Sequence, residues 1–398
     1  MTDGWRDAEL GDVVSILKGK KPRTTTNEEL GLPYLVAEHL RGGSAKQWVV
    51  DTDGLVTSFQ SDCLLLWDGA GAGDSFAGCE GVVASTMARL RPKNPDQLSG
   101  EYLTLMIGDL EDSIKLSNRG TTVPHVSPEA LKSLPVRIPP LSVQRRIVNL
   151  ITHLDNNLAA LNGELATIES CIDARLNSWN EHFSESPTVP LSSLCSPRSG
   201  PSWAAVQESS VPSEGSVRVV KITNTRPNGR LDMMDETHVV GIADSTIRLS
   251  NNSLILIRTN GNRSRIGNVY RPNPLAVGCV VSAFQFAAEL KNTSDRDWLY
   301  WWLKAPDQQQ AMTDAASGST GLGNLASGWL KMREVPWPDE CLRREWLLPL
   351  EALSNHTVTV EEEVSRLTRL RSALLSTLLS GEIALSPGCC EHLIGGVA

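Results

Sequence analysis

Residues 151–172, ITHLDNNLAALNGELATIESCI, carry apolar side chains in the alternating spacing of a coiled coil. The apolar positions are 151, 154, 158, 161, 165, 168 and 172, which are separated by three and four residues in turn. This spacing puts one apolar stripe along an α-helix. Such a stripe is buried when a second helix crosses at a shallow angle. The stretch therefore predicts a long helix that needs a partner helix.

The same spacing returns near the end of the chain, at 350, 353, 357, 360, 364, 367, 371, 374 and 378, where Thr357 and Arg371 are the polar exceptions. We predict that the two heptad helices form an antiparallel coiled coil with each other. The predicted interface is Ile151, Leu154, Leu158, Leu161, Leu165, Ile168, Leu350, Leu353, Val360, Val364, Leu367 and Leu374. The alternative is that each helix packs only on its own domain, but two matching heptad stretches favour a common explanation.

A shift of 199 residues matches the apolar pattern of residues 126–176 to that of residues 325–375 without a gap, over about 50 residues. It places Val126 on Leu325 ahead of the helices and Ile151 on Leu350 within them. We therefore expect an internal repeat with a pseudo-twofold axis. The predicted parts are a first globular domain at 1–141, a first spacer helix at 142–186, a second globular domain at 187–341, a second spacer helix at 342–383 and a flexible tail at 384–398.

Short apolar runs, punctuated by glycine and proline, precede each heptad helix and read as strands. They lie at 12–17, 34–37, 63–67 and 81–90 in the first half, and at 217–222, 253–258 and 276–287 in the second. Shorter helical patterns follow at 101–116 and 297–311. The expected fold class is mixed α/β, with two similar α/β domains separated by two long helices.

The composition is that of an ordinary soluble globular protein, because 40% of the 398 residues are apolar and 21% are charged. The strictly apolar runs fall far short of the ~20 residues of a membrane span, and no leader pattern is present, so we expect a cytoplasmic protein. Eight cysteines without a Cys-x-x-Cys pair suit reduced thiols. The net charge of −9 argues on its face against a nucleic-acid partner.

An ordered set of residues at the start of each heptad helix resembles the junction between a target recognition domain and the conserved helix in specificity subunits of Type I restriction-modification systems. The set is Gly120-Thr121-Thr122, Val136-Arg137-Ile138-Pro139-Pro140-Leu141 and Gln144-Arg145-Arg146-Ile147-Val148, with a second copy at Gly318-Ser319-Thr320 and Val335-Pro336-Trp337-Pro338. The run at 374–383 is also similar to the family. The resemblance covers residues 5–383.

This resemblance implies a non-catalytic subunit whose two target recognition domains read the halves of an interrupted site in double-stranded DNA. The expected partners are two modification (methyltransferase) subunits and restriction (translocase-nuclease) subunits. No cofactor is expected in this chain, whereas S-adenosylmethionine and ATP are expected in the partner subunits.

Motifs of catalysis are missing from the sequence, which agrees with that expectation. The Asn/Asp-Pro-Pro-aromatic signature of amino-methyltransferases is absent, as is the Walker A pattern, and the seven histidines lack metal-ligand spacing. We assign no catalytic and no metal-binding residues. Gly69, Gly71 and Gly73 follow a predicted strand, and a tight connecting loop is favoured there over a nucleotide site.

Two local clusters reverse the overall acidity. Residues 245–288 contain no acidic residue but several arginines, and the sequence from Arg258 to Arg265 is polar. Arginine and asparagine match guanine and adenine edges, while threonine, serine and arginine also suit phosphates. The DNA-contact candidates of the second half are Arg258, Thr259, Asn260, Asn262, Arg263, Arg265 and Arg271.

In the first half, a lysine cluster around Gly19 is typical of a phosphate-gripping loop. The candidates there are Lys18, Lys20, Lys21 and Arg23. Weaker phosphate-contact candidates are Arg119, Thr121, Thr122, Ser319 and Thr320, which can equally cap the sheet. Ordinary solvated loops are the alternative for each cluster, but one cluster in each repeat favours DNA contact.

Two alternatives stay open at this point. Trp298, Trp301 and Trp302 have the spacing of a helix face and are predicted as core residues rather than base-stacking residues. The rival function is a coiled-coil scaffold with two protein-binding domains and no DNA recognition.

Overall fold

The two heptad stretches form long helices in the computed structural model of the chain, which describes residues 4–117, 124–226, 229–318 and 321–383. The helices span Leu141–Asn177 and Glu340–Ser380. The chain divides into two units: the first comprises residues up to 162 together with residues from 362 onward, and the second comprises residues 163–361. Each long helix therefore contributes to both units. The predicted tail at 384–398 lies outside the described residues.

The first unit is a mixed α/β domain. Its strands are β1 (Arg6–Glu9), β2 (Val14–Lys18), β3 (Leu32–Leu35), β4 (Trp48–Val49), β5 (Thr57–Ser58), β6 (Cys63–Leu66), β7 (Ser75–Ala77), β8 (Gly81–Val83), β9 (Met87–Pro92) and β10 (Pro135–Ile138). Its helices are α1 (Leu10–Val13), α2 (Ala37–Leu40), α3 (Gly100–Ser117), α4 (Pro128–Lys132) and the first part of α5 (Leu141–Asn177).

Two four-stranded sheets organise this unit. One is antiparallel, in the order β2-β9-β6-β7, and the other has the order β4-β3-β8-β5 with a parallel pair β3 and β8. Strands β1 and β10 pair antiparallel, so the start of the unit meets the chain just before α5.

The second unit repeats this plan. Its strands are β11 (Thr188–Pro190), β12 (Arg198–Ser199), β13 (Glu208–Ser209), β14 (Ser216–Val220), β15 (His238–Val240), β16 (Ser253–Ile257), β17 (Thr259–Asn260), β18 (Val269–Tyr270), β19 (Val280–Val281), β20 (Gln285–Glu289), β21 (Gly323–Asn324) and β22 (Glu334–Pro336). Its helices are α6 (Trp179–Phe183), α7 (Leu191–Leu194), α8 (Thr293–Lys304), α9 (Pro306–Ala315), α10 (Ser327–Lys331) and the first part of α11 (Glu340–Ser380). Short 3-10 helices lie at Ala205–Gln207, Ile222–Asn224 and Arg263–Arg265.

The antiparallel sheets of the two units share their strand order, and the other two sheets share three strands, β4-β3-β8 and β15-β14-β19, but carry the fourth strand at opposite edges. This likeness confirms the internal repeat and the mixed α/β fold. The second unit has the sheets β12-β20-β16-β18 and β13-β15-β14-β19, the latter with a parallel pair β14 and β19. Burial follows the shift of 199 residues: Val126 and Leu325 are both 0% exposed, as are Ile151 and Leu350. The repeat therefore preserves the core positions although few residues are identical.

The heptad stripes are buried against the opposite helix, as predicted. In the first unit, Ile151 and Leu154 share a core with Leu367. The polar exception Arg371 donates from Nη2 to Asp155 Oδ2 at 3.0 Å, so this position carries an ion pair across the two helices. All twelve residues of the predicted interface are buried or half-buried.

In the second unit the two helices run antiparallel. His356 Nε2 lies 2.7 Å from Glu164 Oε1, and Arg175 Nη2 donates to the carbonyl of Trp346 at 3.1 Å. Residue numbers thus rise along one helix as they fall along the other. The packing of two long helices is confirmed by these contacts and by the shared core of the first unit.

Gln144 of the junction motif fixes the start of α5. Its amide donates from Nε2 to the carbonyls of Gln97 at 2.7 Å and Pro139 at 2.8 Å, and its Oε1 accepts from the backbone N–H of Ser99 at 2.9 Å. The side chain is 0% exposed, so these bonds satisfy a buried amide. Gln144 therefore ties the long helix to the domain that precedes it.

Several element boundaries differ from the predictions. The first spacer helix, predicted at 142–186, ends at Asn177, because Trp179 and Phe183 of the separate helix α6 enter the core of the second unit. The helix predicted at 297–311 is two helices, since Pro306 disfavours helical backbone at Ala305 and starts a new helix. The runs at 81–90 and 276–287 each form two short strands in different sheets.

The tryptophans of α8 are core residues, as predicted. Trp298, Trp301 and Trp302 are at most 2% exposed. Trp298 Nε1 donates to the carbonyl of Pro336 at 2.8 Å, and Trp301 Nε1 donates to Glu351 Oε1 at 2.5 Å. Their indole N–H groups are therefore satisfied within the fold.

Two other kinds of site are absent from the described residues. Within this part of the chain, no helix combines the length and apolar content that crossing a membrane requires. Nor do three His, Cys, Asp or Glu side chains of these same residues come together as a metal-ligand group.

Leu378 and Leu370 allow a matched test of the helix packing. Leu378 is 1% exposed in the first core, whereas Leu370, on the same helix, is 40% exposed. We expect Leu378→Ala to lower the free energy of unfolding by about 2–5 kcal/mol, because it leaves a cavity. Leu370→Ala should change it by only about 0.5 kcal/mol. Urea denaturation followed by circular dichroism measures both, and equal losses would contradict the helix packing.

Candidate nucleic-acid interface

The arginine-rich segment of the second half is a loop that leaves the central strand β16. The loop begins at Arg258, and its first residues form β17, which pairs with β21. Gly267 closes the loop by donating from its backbone N–H to the carbonyl of Ile257 at 2.9 Å. We call residues 258–267 the arginine loop.

Asparagine side chains shape this loop from within. Asn260 Oδ1 accepts from the backbone N–H of Asn262 at 2.9 Å. Asn262 Oδ1 accepts from the backbone N–H of Ser264 at 3.1 Å and from its hydroxyl at 2.8 Å, and so caps the 3-10 helix. These bonds use the amide oxygens, so the Nδ2 groups are the donors that can meet an acceptor outside the loop.

Two arginines of the loop are bonded to carbonyl oxygens rather than to carboxylates. Arg263 Nη2 donates to the carbonyl of Gly318 at 3.1 Å, and Arg265 Nη2 donates to the carbonyl of Thr225 at 2.7 Å. Arg263 is exposed and Arg265 is half-buried. These hydrogen bonds hold both side chains in place. Because a carbonyl oxygen carries no formal charge, the bonds do not neutralise the positive charge of either guanidinium.

The structure brings the other loop candidates into the same segment, with different surroundings. Thr259 Oγ1 donates to Asn324 Oδ1 at 2.8 Å. Arg258 is half-buried, and its guanidinium lies 5.5 Å from the ring centroid of Phe286. Both residues therefore have roles at the base of the arginine loop.

Arg271 is placed apart from the arginine loop. Its Nη1 donates to Glu351 Oε1 at 2.7 Å and lies 3.1 Å from Asp297 Oδ1, and its guanidinium stacks 4.3 Å from the ring centroid of Tyr300. Burial lowers the pKa of Arg271, but Tyr300, Glu351 and Asp297 outweigh this effect and raise it, so the side chain stays charged. These contacts tie strand β18 to α8 and α11, and we leave Arg271 out of the candidate interface.

The lysine cluster of the first half lies where the chain leaves strand β2. Lys18, Lys20, Lys21 and Arg23 are all exposed. Lys18 Nζ lies 2.8 Å from Asp68 Oδ2, and Lys20 Nζ donates to the carbonyl of Gly54 at 3.2 Å. The cluster presents a positive surface.

The weaker phosphate candidates receive no structural account. Arg119, Thr121, Thr122, Ser319 and Thr320 lie outside the described residues.

A cavity that the sequence reasoning missed lies beside the base of the arginine loop. It has a volume of about 470 Å³, and Trp203, Lys221 and Phe284 are among the residues that line it. The carbonyl of Phe284 accepts from the backbone N–H of Arg258 at 2.9 Å, and the ring is 50% exposed. The available signal was a large aromatic residue inside the acid-free segment.

An ion pair borders this cavity. Glu208 accepts from Trp203 Nε1 at 2.7 Å and pairs with Lys221 Nζ at 3.2 Å. These two hydrogen bonds lower the pKa of Glu208, which therefore stays ionised at neutral pH. The cavity thus combines aromatic walls with a fixed charge pair.

The glycine-rich segment of the first half is a tight connection, as the sequence analysis favoured. It joins β6 to β7, and Gly73 donates from its backbone N–H to the carbonyl of Leu66 at 2.8 Å. Ala72 donates to the carbonyl of Gly69 at 2.9 Å within the turn. No long helix starts at this turn, which distinguishes it from a dinucleotide-binding loop.

Comparisons with known proteins identify the first half by sequence. Residues 2–170 match the family model of the Type I restriction modification DNA specificity domain. Over 170 residues, the chain is 34% identical to the Type I restriction enzyme MjaVIII specificity subunit of Methanocaldococcus jannaschii, a stretch that covers 42% of this chain. The chain spans about two fifths of the length of this curated relative, since the match covers 39% of it.

Solved structures share the fold along almost the whole chain. The S subunit of a Type I restriction-modification system from M. genitalium superposes with a TM-score of 0.60 at 18% identity, over 96% of this chain and 97% of that one. A chain from a study of complex assembly and conformational transition of the type I R-M system gives a TM-score of 0.55 at 15% identity, over 96% and 99%. The sequence matches confirm the resemblance to Type I specificity subunits for residues 2–170, and the structural likenesses show the shared fold along almost the whole chain.

The closing glycine of the arginine loop can be tested against a matched glycine. Gly267 has a φ of +86°, and an added Cβ would lie 2.7 Å from Met312 Cβ, whereas Gly278 has a φ of +83° with no atom within 4 Å. Gly278→Ala should cost about 1–2 kcal/mol of stability through backbone strain alone. We expect Gly267→Ala to cost about 1–3 kcal/mol more because of the collision. Urea denaturation of both variants tests this, and equal costs would refute it.

Proposed function

We propose that the chain is the DNA-reading specificity subunit of a Type I restriction-modification system, because residues 2–170 match the family model of the Type I restriction modification DNA specificity domain. Each of its two units reads one half of a bipartite site in double-stranded DNA. The observation that carries this proposal is the duplicated unit, in which each copy carries an exposed basic segment directly after a strand of its antiparallel sheet: the lysine cluster after β2 and the arginine loop after β16. The fold shared with a solved S subunit supports extending the proposal to the second unit.

The second unit reads its half-site through the arginine loop. Arg263 is exposed and is oriented by the carbonyl of Gly318, and Asn260 supplies an amide nearby in the loop. An arginine fork can bond both acceptors of guanine, and an asparagine amide can bond adenine. Lysines contribute affinity in the first unit through phosphate contacts, which carry no sequence information of their own.

The chain reads DNA, and its partners perform the chemistry. We propose that two modification subunits, with S-adenosylmethionine, methylate the site, and that restriction (translocase-nuclease) subunits, with ATP, translocate and cleave DNA. The chain itself has no catalytic role in this proposal. The sequence without methyltransferase or Walker A motifs supports that division of labour.

Methylome sequencing tests the proposed function directly. We expect a host that expresses this chain with its modification subunits to carry one bipartite methylated motif, which disappears when the gene of this chain is deleted. In vitro, the affinity of the complex for a duplex with that motif should fall steeply as salt rises, because phosphate contacts release counterions. A coiled-coil scaffold would leave the methylome unchanged and would show no salt-dependent DNA binding.

Arg263 provides a test at the level of a single half-site. We expect Arg263→Ala to lose about 1–3 kcal/mol of discrimination at one base position of the half-site read by the second unit. The other half-site should not change. Arg344→Ala is the matched control, because Arg344 is a 77% exposed arginine of the same unit in a surface ion pair with Glu340. Methylated motifs are compared for both variants, and an unchanged motif after Arg263→Ala would reject the role of this residue.

A further inference from the structure

The first unit contains a loop that is structurally equivalent to the arginine loop, at residues 67–73. The loop follows the central strand β6 and closes where Gly73 donates to the carbonyl of Leu66 at 2.8 Å. At its start, the carbonyl of Trp67 accepts from the backbone N–H of Val126 at 2.9 Å. We call residues 67–73 the glycine loop.

The arginine loop is held by the same two bonds. Gly267 donates to the carbonyl of Ile257 at 2.9 Å, and the carbonyl of Arg258 accepts from the backbone N–H of Leu325 at 2.9 Å. The closing glycines have similar positive φ values, +105° at Gly73 and +86° at Gly267. The two loops therefore occupy the same place in the repeated fold, although the glycine loop is shorter.

A second set of contacts fixes the correspondence residue by residue. Asp68 forms a β-bridge with His125, and Thr259 pairs with Asn324. The shift of 199 residues that places Val126 on Leu325 also carries His125 onto Asn324. Asp68 is therefore the counterpart of Thr259, and the next residue, Gly69, is the counterpart of Asn260.

The glycine loop differs in chemistry from the arginine loop. After Trp67 the sequence of the glycine loop is Asp-Gly-Ala-Gly-Ala-Gly. Among residues 68–73, Asp68 is therefore the one with a polar side chain. Gly69 has a φ of +108°, and no atom lies within 4 Å of the position that a Cβ would take. Such a loop lets another backbone approach closely, and Asp68 is then the side chain in reach of a bound base.

Lys18 holds the Asp68 carboxylate at this surface. Its Nζ lies 2.8 Å from Asp68 Oδ2, and the two side chains are 46% and 34% exposed. The ammonium offsets the repulsion between the carboxylate and DNA phosphates. The lone pairs that Lys18 leaves available on the carboxylate can accept a hydrogen bond from DNA.

We propose that Asp68 is a specificity-determining residue of the first unit, which accepts a hydrogen bond from the N4 amino group of a cytosine in the major groove. Aspartate accepts from this amino group, whereas guanine and thymine present only acceptors in the major groove, and adenine places its N7 acceptor beside its N6 amino group, where it repels a carboxylate. Lys18 neutralises part of the Asp68 charge and so contributes to affinity rather than to base preference. This inference rests on the proposed function, and it assigns different base chemistry to the two units.

Selection from a DNA pool tests the inference. The complex of the full chain with its modification subunits is allowed to bind duplexes that carry the wild-type site with the first unit's half-site randomised. We expect Asp68→Asn to reduce the preference for cytosine at one position by about tenfold, because the amide adds a donor to the acceptor. Its overall affinity should not fall. Lys18→Met should instead weaken binding to all sequences several-fold and keep the preference.

Asp96→Asn is the matched control, since Asp96 is an exposed aspartate of the same unit beyond the far end of β9. Thermal melting of each variant confirms that it is folded. The inference is overturned if Asp68→Asn still enriches the wild-type half-site, or if Lys18→Met alters the base preference in the same way. If the wild-type complex enriches no sequence, the proposed function fails and the inference falls with it.

Discussion

The burial of two heptad stripes is the constraint on which the rest of this fold depends. Neither α5 nor α11 can cover its own stripe, because a 3.5-residue apolar period requires a second helix at a shallow angle. Residues 141–162 of α5 belong to one unit with residues from 362 onward, and residues 163–177 belong to the other with residues 340–361. Each core is therefore completed by a helix from the other half of the sequence, so neither sequence repeat closes its core by itself.

Rigid strands set the arginine loop and the glycine loop in place, and the sequence of each loop then decides its chemistry. Both loops start directly after a buried central strand and close on a glycine with positive φ. The frame therefore accommodates two loops of different length and sequence between these points. One unit carries arginine and asparagine there, and the other carries glycine, alanine and a single aspartate. Loops on a fixed scaffold are where binding functions vary at the least cost to stability.

The parts of the fold that depend on periodicity could be predicted from the sequence. The heptad spacing identified both long helices, and the shift of 199 residues matched Ile151 with Leu350, which are both fully buried. Boundaries were harder, because they depend on contacts that are distant in sequence. The first long helix ends at Asn177, because Trp179 packs against Trp298, which lies more than a hundred residues later. The ring centroids of the two tryptophans are 4.5 Å apart.

The same limit applies to the candidate site. The acid-free segment located the arginine loop, but it also drew in Arg271, whose partner Glu351 lies outside the segment. The equivalence of Asp68 and Thr259 was hidden as well, because the loops differ in length and share almost no residues. The distribution of charge along the sequence could not distinguish an arginine that forms ion pairs inside the domain from one that is exposed to solvent.

The bonded partner of each basic residue resolves the conflict between a net charge of −9 and a DNA partner. Arg271 is bonded to carboxylates, so its charge is neutralised locally. Arg263 and Arg265 are bonded to backbone carbonyls, which orient a guanidinium without cancelling its charge. A phosphate or a guanine edge meets the local field of such residues, because more distant surface charges are screened beyond about 10 Å at ordinary salt. An acidic chain can therefore present a positive reading surface, provided that its acids are bonded elsewhere.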